Sequence, residues 1–168
     1  MAAADVFVVL AHVQFEKNNY QNRFHIGENW YTLSVIHGRS LETIMEKRYA
    51  RPVEDWDKIK ARLPEHARAL DRFDDLICES LYRTNFRIIL EIATRLKIKT
   101  EIVLDPALDS KGTDRLVEIC RIFGADTYLS GPSGRKYLEL DKFAQAGIAV
   151  EFHDSKRPEP IVKVLHEL

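Results

Sequence analysis

Two stretches carry residue types suited to binding small polar ligands. One is Tyr128-Leu129-Ser130-Gly131-Pro132-Ser133-Gly134-Arg135-Lys136, where a short apolar run from Thr127 meets a turn-forming cluster. Small side chains, hydroxyls and backbone N–H groups ahead of a helix can hold an anion such as phosphate, and Arg135 and Lys136 add charge. Tyr128, Ser130, Gly131, Ser133, Gly134 and Arg135 are its candidate ligand contacts. The stretch is neither a P-loop nor GxGxxG. An anion-holding loop and a plain tight turn both fit it. No GxSxG elbow surrounds Ser130, which argues against a serine nucleophile.

The second stretch runs from His12-Val13-Gln14-Phe15 to Asn22-Arg23-Phe24-His25. It follows the apolar run Val6 to Leu10. If the strands are parallel, its sheet edge is also that of the Ser130 turn, and His12, Gln14, Asn22, Arg23 and His25 converge on one crevice. Amide side chains orient polar ligands through directional hydrogen bonds, and arginine holds carboxylate or phosphate with two parallel ones. His12 and His25 are the candidate catalytic bases, because imidazole titrates near neutral pH. An anionic ligand is expected between the Gln14–Arg23 loop and the Ser130–Gly134 turn. A solvated loop held by its own side-chain turns is the competing reading.

Other chemistry-bearing residues suggest less. Asp105 and Asp109 flank a strand end where magnesium could sit, but a solvated loop explains them as well. The remaining histidines form no metal-binding pattern, so no metal site is expected. Trp30 and Trp56 read as packing residues. Cys78 and Cys120 lie in helical apolar patterns with no CxxC pair, as buried thiols of a reducing cytoplasm would.

These residues need elements to position them. Val6 to Leu10 is rich in β-branched residues, as in a strand covered on both faces. Phe24 to Ile26 and Trp30 to Ile36, joined by Gly27-Glu28-Asn29, predict a β-hairpin. Ser40 can cap a short helix through Tyr49. Helical patterns follow over 54–62, 65–70 and 74–96, with Asn85 a possible interruption of the last. Then come a strand over 99–104, a helix over 114–123 capped by Thr113, and Gly124 at its C-terminal turn. A strand over 126–129, a short helix near 141–146 and a strand over 147–152 complete the order, before a last apolar segment, Ile161 to Leu165. The alternation predicts an α/β fold: a Rossmann-like, mainly parallel sheet flanked by helices, with an inserted β-hairpin and a helical middle.

With 168 residues the chain is expected to form a single domain with a full core. Its 25 basic and 26 acidic residues give a net charge of −1, so no global field draws nucleic acid or anionic membrane. No apolar run approaches the ~20 residues that span a bilayer. The start Met1-Ala-Ala-Ala-Asp5 lacks the basic and apolar regions of a signal peptide.

The two stretches together resemble the WbqC-like proteins of bacteria. DVFVVLAHVQFEKNNYQNRFHI and, far downstream, the run from KGTDRLVEIC through YLSGPSGRKYL to GIAVEF carry the likeness. Asp5, Gln14, Phe15, Asn22, Arg23, Gly124, Tyr128, Ser130, Gly131, Gly134, Tyr137, Phe143 and Gly147 match the family's pattern. Its ends are specific and its middle is weak. The family opens with a further strand, which this chain is expected to lack, through either a truncated start or loss of the segment. The family's DDVQ is Ala11-His12-Val13-Gln14 here, without either acid, and its tryptophan-led middle segment is not evident around Trp56.

The resemblance implies a transferase that decorates a sugar, free or nucleotide-linked, in O-antigen or surface-polysaccharide synthesis. The implied partner is a small molecule, a nucleotide sugar or a nucleotide, with or without Mg2+. The alternative is a non-catalytic nucleotide-binding module or partner subunit. An exposed sheet edge left by the missing strand would favour homo-oligomers.

Overall fold

The computed structural model describes residues 1–38 and 41–153. Backbone contacts divide the described chain into two compact units, one spanning Met1–Leu104 and one beginning at Asp105. The first contains, in order, β1 (Val6–Val9), β2 (Arg23–Ile26), β3 (Asn29–Thr32), α1 (Pro52–Ala61), α2 (Ala67–Leu70), α3 (Leu81–Arg95) and β4 (Glu101–Leu104). The second contains α4 (Gly112–Ile122), β5 (Thr127–Ser130), α5 (Leu140–Gln145) and β6 (Ala149–Phe152). This mixture, with parallel pairs β1–β4 and β5–β6, is α/β. The predicted terminal segment 161–165 lies outside the described residues.

In the first unit β1 aligns Val6 with Glu101 and Val9 with Leu104. Its four apolar residues are half-buried, not fully covered as expected, because among the described residues β1 pairs on one side only. β2 and β3 form the predicted hairpin, but β3 ends at Thr32. Gly27 takes φ +58 at the turn, a conformation glycine adopts without strain.

The segment predicted as a helix through Tyr49 is instead a run of turns and isolated bridges; Ser40 itself is outside the described residues. Three pairings hold it. Phe15 N–H bonds the Glu42 carbonyl, Ile36 N–H the Arg48 carbonyl, and Tyr49 N–H the Glu79 carbonyl. Local helix propensity is overridden by these long-range bonds. Tyr49 sits at the centre of the core with Trp56, Leu63, Leu70, Phe73, Ile77 and Leu81.

The predicted helix over 74–96 starts only at Leu81. Residues 71–76 form a 3-10 turn, and Ser80 caps α3 by accepting from Arg83 N–H. Cys78 therefore lies in the link before α3, half-buried, rather than in a helix. Its N–H is held by the Thr84 hydroxyl at 3.1 Å. Asn85 does not interrupt α3. Its amide donates to the Gln21 carbonyl at 2.7 Å, tying the helix to the loop before β2.

In the second unit Gly124, at φ +64, ends α4, with Ala125 N–H on the Cys120 carbonyl. Thr113 is not the cap. It is buried, and its hydroxyl accepts from Glu139 N–H at 3.2 Å. β5 pairs in parallel with β6 across α5, over a core of Val117, Cys120, Phe143 and Ile148.

Candidate functional site

The hairpin sorts its side chains by alternation. Phe24, Ile26 and Tyr31 pack on the first unit's core. Arg23, His25 and Trp30 consequently lie on the opposite face. Trp30 is 41% exposed and Tyr20, from the preceding loop, 64% exposed, so Trp30 is not the packing residue expected. The rings cluster: Tyr20 lies 5.2 Å from Trp30 and 5.9 Å from His25, and His25 meets Trp30 edge-on at 5.2 Å. Trp56, in contrast, is buried as predicted, its indole N–H on Asp74 at 2.7 Å.

Arg23 completes this face. Its guanidinium carbon stands 4.1 Å from the Trp30 ring centre. Its Nη2 donates to the carbonyl of Asn18, a residue at φ +64. Its Nε is buried and has no hydrogen-bond partner among the described residues. An unsatisfied buried donor costs about 1–3 kcal/mol, so this one is out of the ordinary. His25 Nδ1 is 3.2 Å from the Gly27 carbonyl, which can only accept. That contact is a hydrogen bond in the tautomer that carries the proton on Nδ1, and in that tautomer Nε2 is the ring's acceptor.

The other residues of the first stretch are placed differently. Asn22 is buried and holds the base of the hairpin, its amide on the Leu33 carbonyl at 2.9 Å. Gln14 is exposed and pairs with Thr43. His12 is half-buried on the same extended segment. The intervening loop is braced internally, with Glu16 N–H on Gln21 and Tyr20 N–H on Asn19. Tyr20 and Trp30 escaped the list of candidates drawn from sequence. The signal was available: in a hairpin with Phe24 and Tyr31 inward, Trp30 must face out.

The Ser130 turn has a packed half and an open half. Ser130 is 4% exposed, its hydroxyl 3.1 Å from the Gly131 carbonyl. A Cβ on Gly134 would fall 2.1 Å from Ser130 Oγ and 3.0 Å from Leu138. Ser130 and Gly134 are thus a close-packed pair, and a side chain at 134 would force the Ser130 hydroxyl to move. The turn leads into a five-residue 3-10 turn, Pro132–Lys136, and α5 begins only at Leu140. Gly131, Ser133 and Arg135 are exposed, with Arg135 stacked on Phe152 at 4.2 Å. Tyr128 stacks on Phe143 at 5.1 Å in the core, and burial pushes its phenol up to about 12.

Asp105 is not in a solvated loop. It is 2% exposed and pairs with Arg115 at 2.7 Å. Arg115 also donates to the carbonyls of Leu108 and Pro106, which folds the loop before α4 around its guanidinium. Asp109 is exposed. A groove of about 430 Å³ runs along α4 and α5, lined by Ser110, Asp114, Glu118, Arg121, Lys142 and Gln145. Several of its polar groups are already paired, Lys142 with Asp114 at 2.9 Å and Ser110 with Glu118 at 2.6 Å. Among the described residues no group of three or more His, Cys, Asp or Glu side chains could hold a metal ion. Nor is any described helix long and apolar enough to cross a membrane.

Fold and surface together define an α/β protein whose hairpin presents aromatic rings and an arginine to solvent. The chain belongs to the WbqC-like protein family, whose model matches residues 1–160 and so spans both units. It is similar to the uncharacterized protein Rv1507c of Mycobacterium tuberculosis, with 28% identity over 173 positions covering 92% of this chain and 74% of that one. No solved structure gives a significant match.

Proposed function

We propose that this protein is a transferase that decorates a nucleotide-linked sugar in bacterial surface-polysaccharide synthesis. The observation that carries the reading is the placement of Arg23 and His25 on one face of the hairpin, in a chain of the WbqC-like family. Arg23 is suited to a phosphate. His25 Nε2, or His12, takes the proton from a sugar hydroxyl or amine as that group attacks the carbonyl carbon of an activated acyl donor, and the bond to the donor's carrier breaks, the carrier leaving with that electron pair. Gln14 is a further ligand contact in the first unit. In the second unit the proposed contacts are the exposed Gly131, Ser133 and Arg135. The order β5–α5–β6, two parallel strands joined by a helix, is that of a Rossmann-like crossover and fits such a ligand. A cytoplasmic setting suits the free thiols of Cys78 and Cys120.

Thermal-shift measurement with nucleotides and nucleotide-linked sugars tests the reading. A bound nucleotide sugar at about 100 times its Kd adds about 2.7 kcal/mol, or roughly 5–10 °C for a chain of this size. Absence of stabilisation by every nucleotide and nucleotide sugar tried would remove the proposal.

A second reading is favoured by β1, which among the described residues has one hydrogen-bonded neighbour. An apolar strand with an open edge can pair with another chain, as in a non-catalytic binding module or partner subunit. Light scattering separates the two: a monomer at all concentrations opposes the second reading.

A further inference from the structure

We infer that the outward face of the β2–β3 hairpin is the nucleoside-phosphate subsite of this protein, with Tyr20 and Trp30 stacking the base and Arg23 meeting the phosphate. The inference rests on the transferase reading above for its biological setting, but it is argued from three observations of its own. Tyr20 and Trp30 are large aromatic side chains left in water, 5.2 Å apart on one surface. Exposed rings in such proximity suit the π-face of a base, which stacks without regard to its identity. The Arg23 guanidinium sits over the Trp30 ring at 4.1 Å and donates to the Asn18 carbonyl, so it is held next to the rings. The Nε of Arg23 is a buried donor with no partner among the described residues, beneath this surface.

The pieces fit one ligand class better than others. A free sugar has no charge for the guanidinium, and inorganic phosphate has no ring for Tyr20 and Trp30. A nucleoside diphosphate has both. Tyr20 has most of its surface in solvent, so it can turn to admit a base without loss of core packing. An anionic group at this face would give the orphan Nε–H of Arg23 an acceptor. His25 borders the same rings and would stand beside the sugar–phosphate end of the ligand.

The experiment is a fluorescence titration of the full-length protein with uridine diphosphate, adenosine diphosphate, inorganic phosphate and free glucose. Trp30 is the exposed indole of the two in the chain, and Trp56 is buried, so stacking reports through Trp30. Both diphosphates should quench the emission saturably, phosphate and glucose should not, and Trp30→Phe should abolish the quenching. By calorimetry, Tyr20→Ala should weaken binding about tenfold or more. Binding that is unchanged in Tyr20→Ala and Trp30→Phe overturns the subsite while leaving the transferase reading intact. Saturable stacking without any transfer activity supports the subsite and removes the transferase reading. No binding of either diphosphate by fluorescence or calorimetry overturns the inference outright, as does binding of phosphate or glucose as tight as that of the diphosphates.

Discussion

In the Ser130–Gly134 turn the serine hydroxyl is buried against a glycine with no room for a methyl group. On the outward face of the β2–β3 hairpin a tryptophan, and a tyrosine from the preceding loop, stand in water beside an arginine with an unsatisfied donor. The first region has the more suggestive sequence, small polar residues between a strand and a helix. Part of its polarity, however, serves its own packing. The second is written in residues that usually fill cores. Residue type thus indicates which groups are capable of binding, and burial decides which remain available for it.

The comparison makes a general forecast. Substitutions at packed positions should lower stability, while those on the hairpin face should lower binding and leave stability nearly unchanged. The largest effect is expected at the Arg115–Asp105 pair, which is almost fully buried. Arg115→Met takes the guanidinium away from a buried carboxylate and from the carbonyls of Leu108 and Pro106, and should cost about 3–5 kcal/mol, read by urea denaturation. A loss under about 1 kcal/mol would mean that water reaches the pair.

Gly134→Ala should cost about 1–3 kcal/mol through overpacking against Ser130 and Leu138. Adding Ser130→Ala should recover part of that loss, because it removes the nearest atom. A double-mutant cycle measures this coupling, and strict additivity would show that the two residues are not a packed pair.

Asp55 gives an effect of similar or smaller size. It accepts from the Ser34 hydroxyl and from Ser34 N–H at 2.8 Å, fastening the chain after β3 to α1. Burial opposes its ionisation, but these two bonds, with Arg51 and Lys58 nearby, hold the carboxyl below the usual range. A lowered folded-state value stabilises above the unfolded pKa of about 4 and is lost as pH falls through the folded value. Asp55→Asn should cost about 1–2 kcal/mol at pH 7 and flatten part of the acid-side decline in melting temperature. An unaltered decline would assign acid sensitivity to other carboxylates, such as Asp74, which Lys60 and Trp56 hold low against the opposing effect of burial.

The smallest change in stability belongs to the open face. Tyr20→Ala should shift unfolding by no more than about 0.5 kcal/mol, as at other exposed sites. A larger loss would mean that the rings brace the hairpin and are not kept for a ligand.

What was legible in the sequence was local. Gly124 ends α4 and Gly27 turns the hairpin because each position requires φ above zero, and glycine marks such positions. Strands β5 and β6 stand out as short apolar runs between turns. The segment before Tyr49 was misread because its structure is set by partners at residues 15, 36 and 79, which no local pattern records. Thr113 reads as a cap for the same reason: its partner, Glu139, is far away in the sequence. For the site, Arg23 and His25 were visible as residue types, and Trp30 could have joined them by alternation. Tyr20 was not visible, since an irregular loop has no period from which its direction can be inferred.

The central claim is that the hairpin face holds the nucleoside phosphate. Calorimetric titration of uridine diphosphate into the wild-type protein, Tyr20→Ala/Trp30→Phe and Ser133→Ala/Arg135→Ala compares the two regions in one assay. The account predicts a loss of about tenfold to a hundredfold in the hairpin variant, from stacking worth about 1–3 kcal/mol, and a markedly smaller loss in the turn variant. Unchanged affinity in the hairpin variant, with binding abolished in the turn variant, would contradict it.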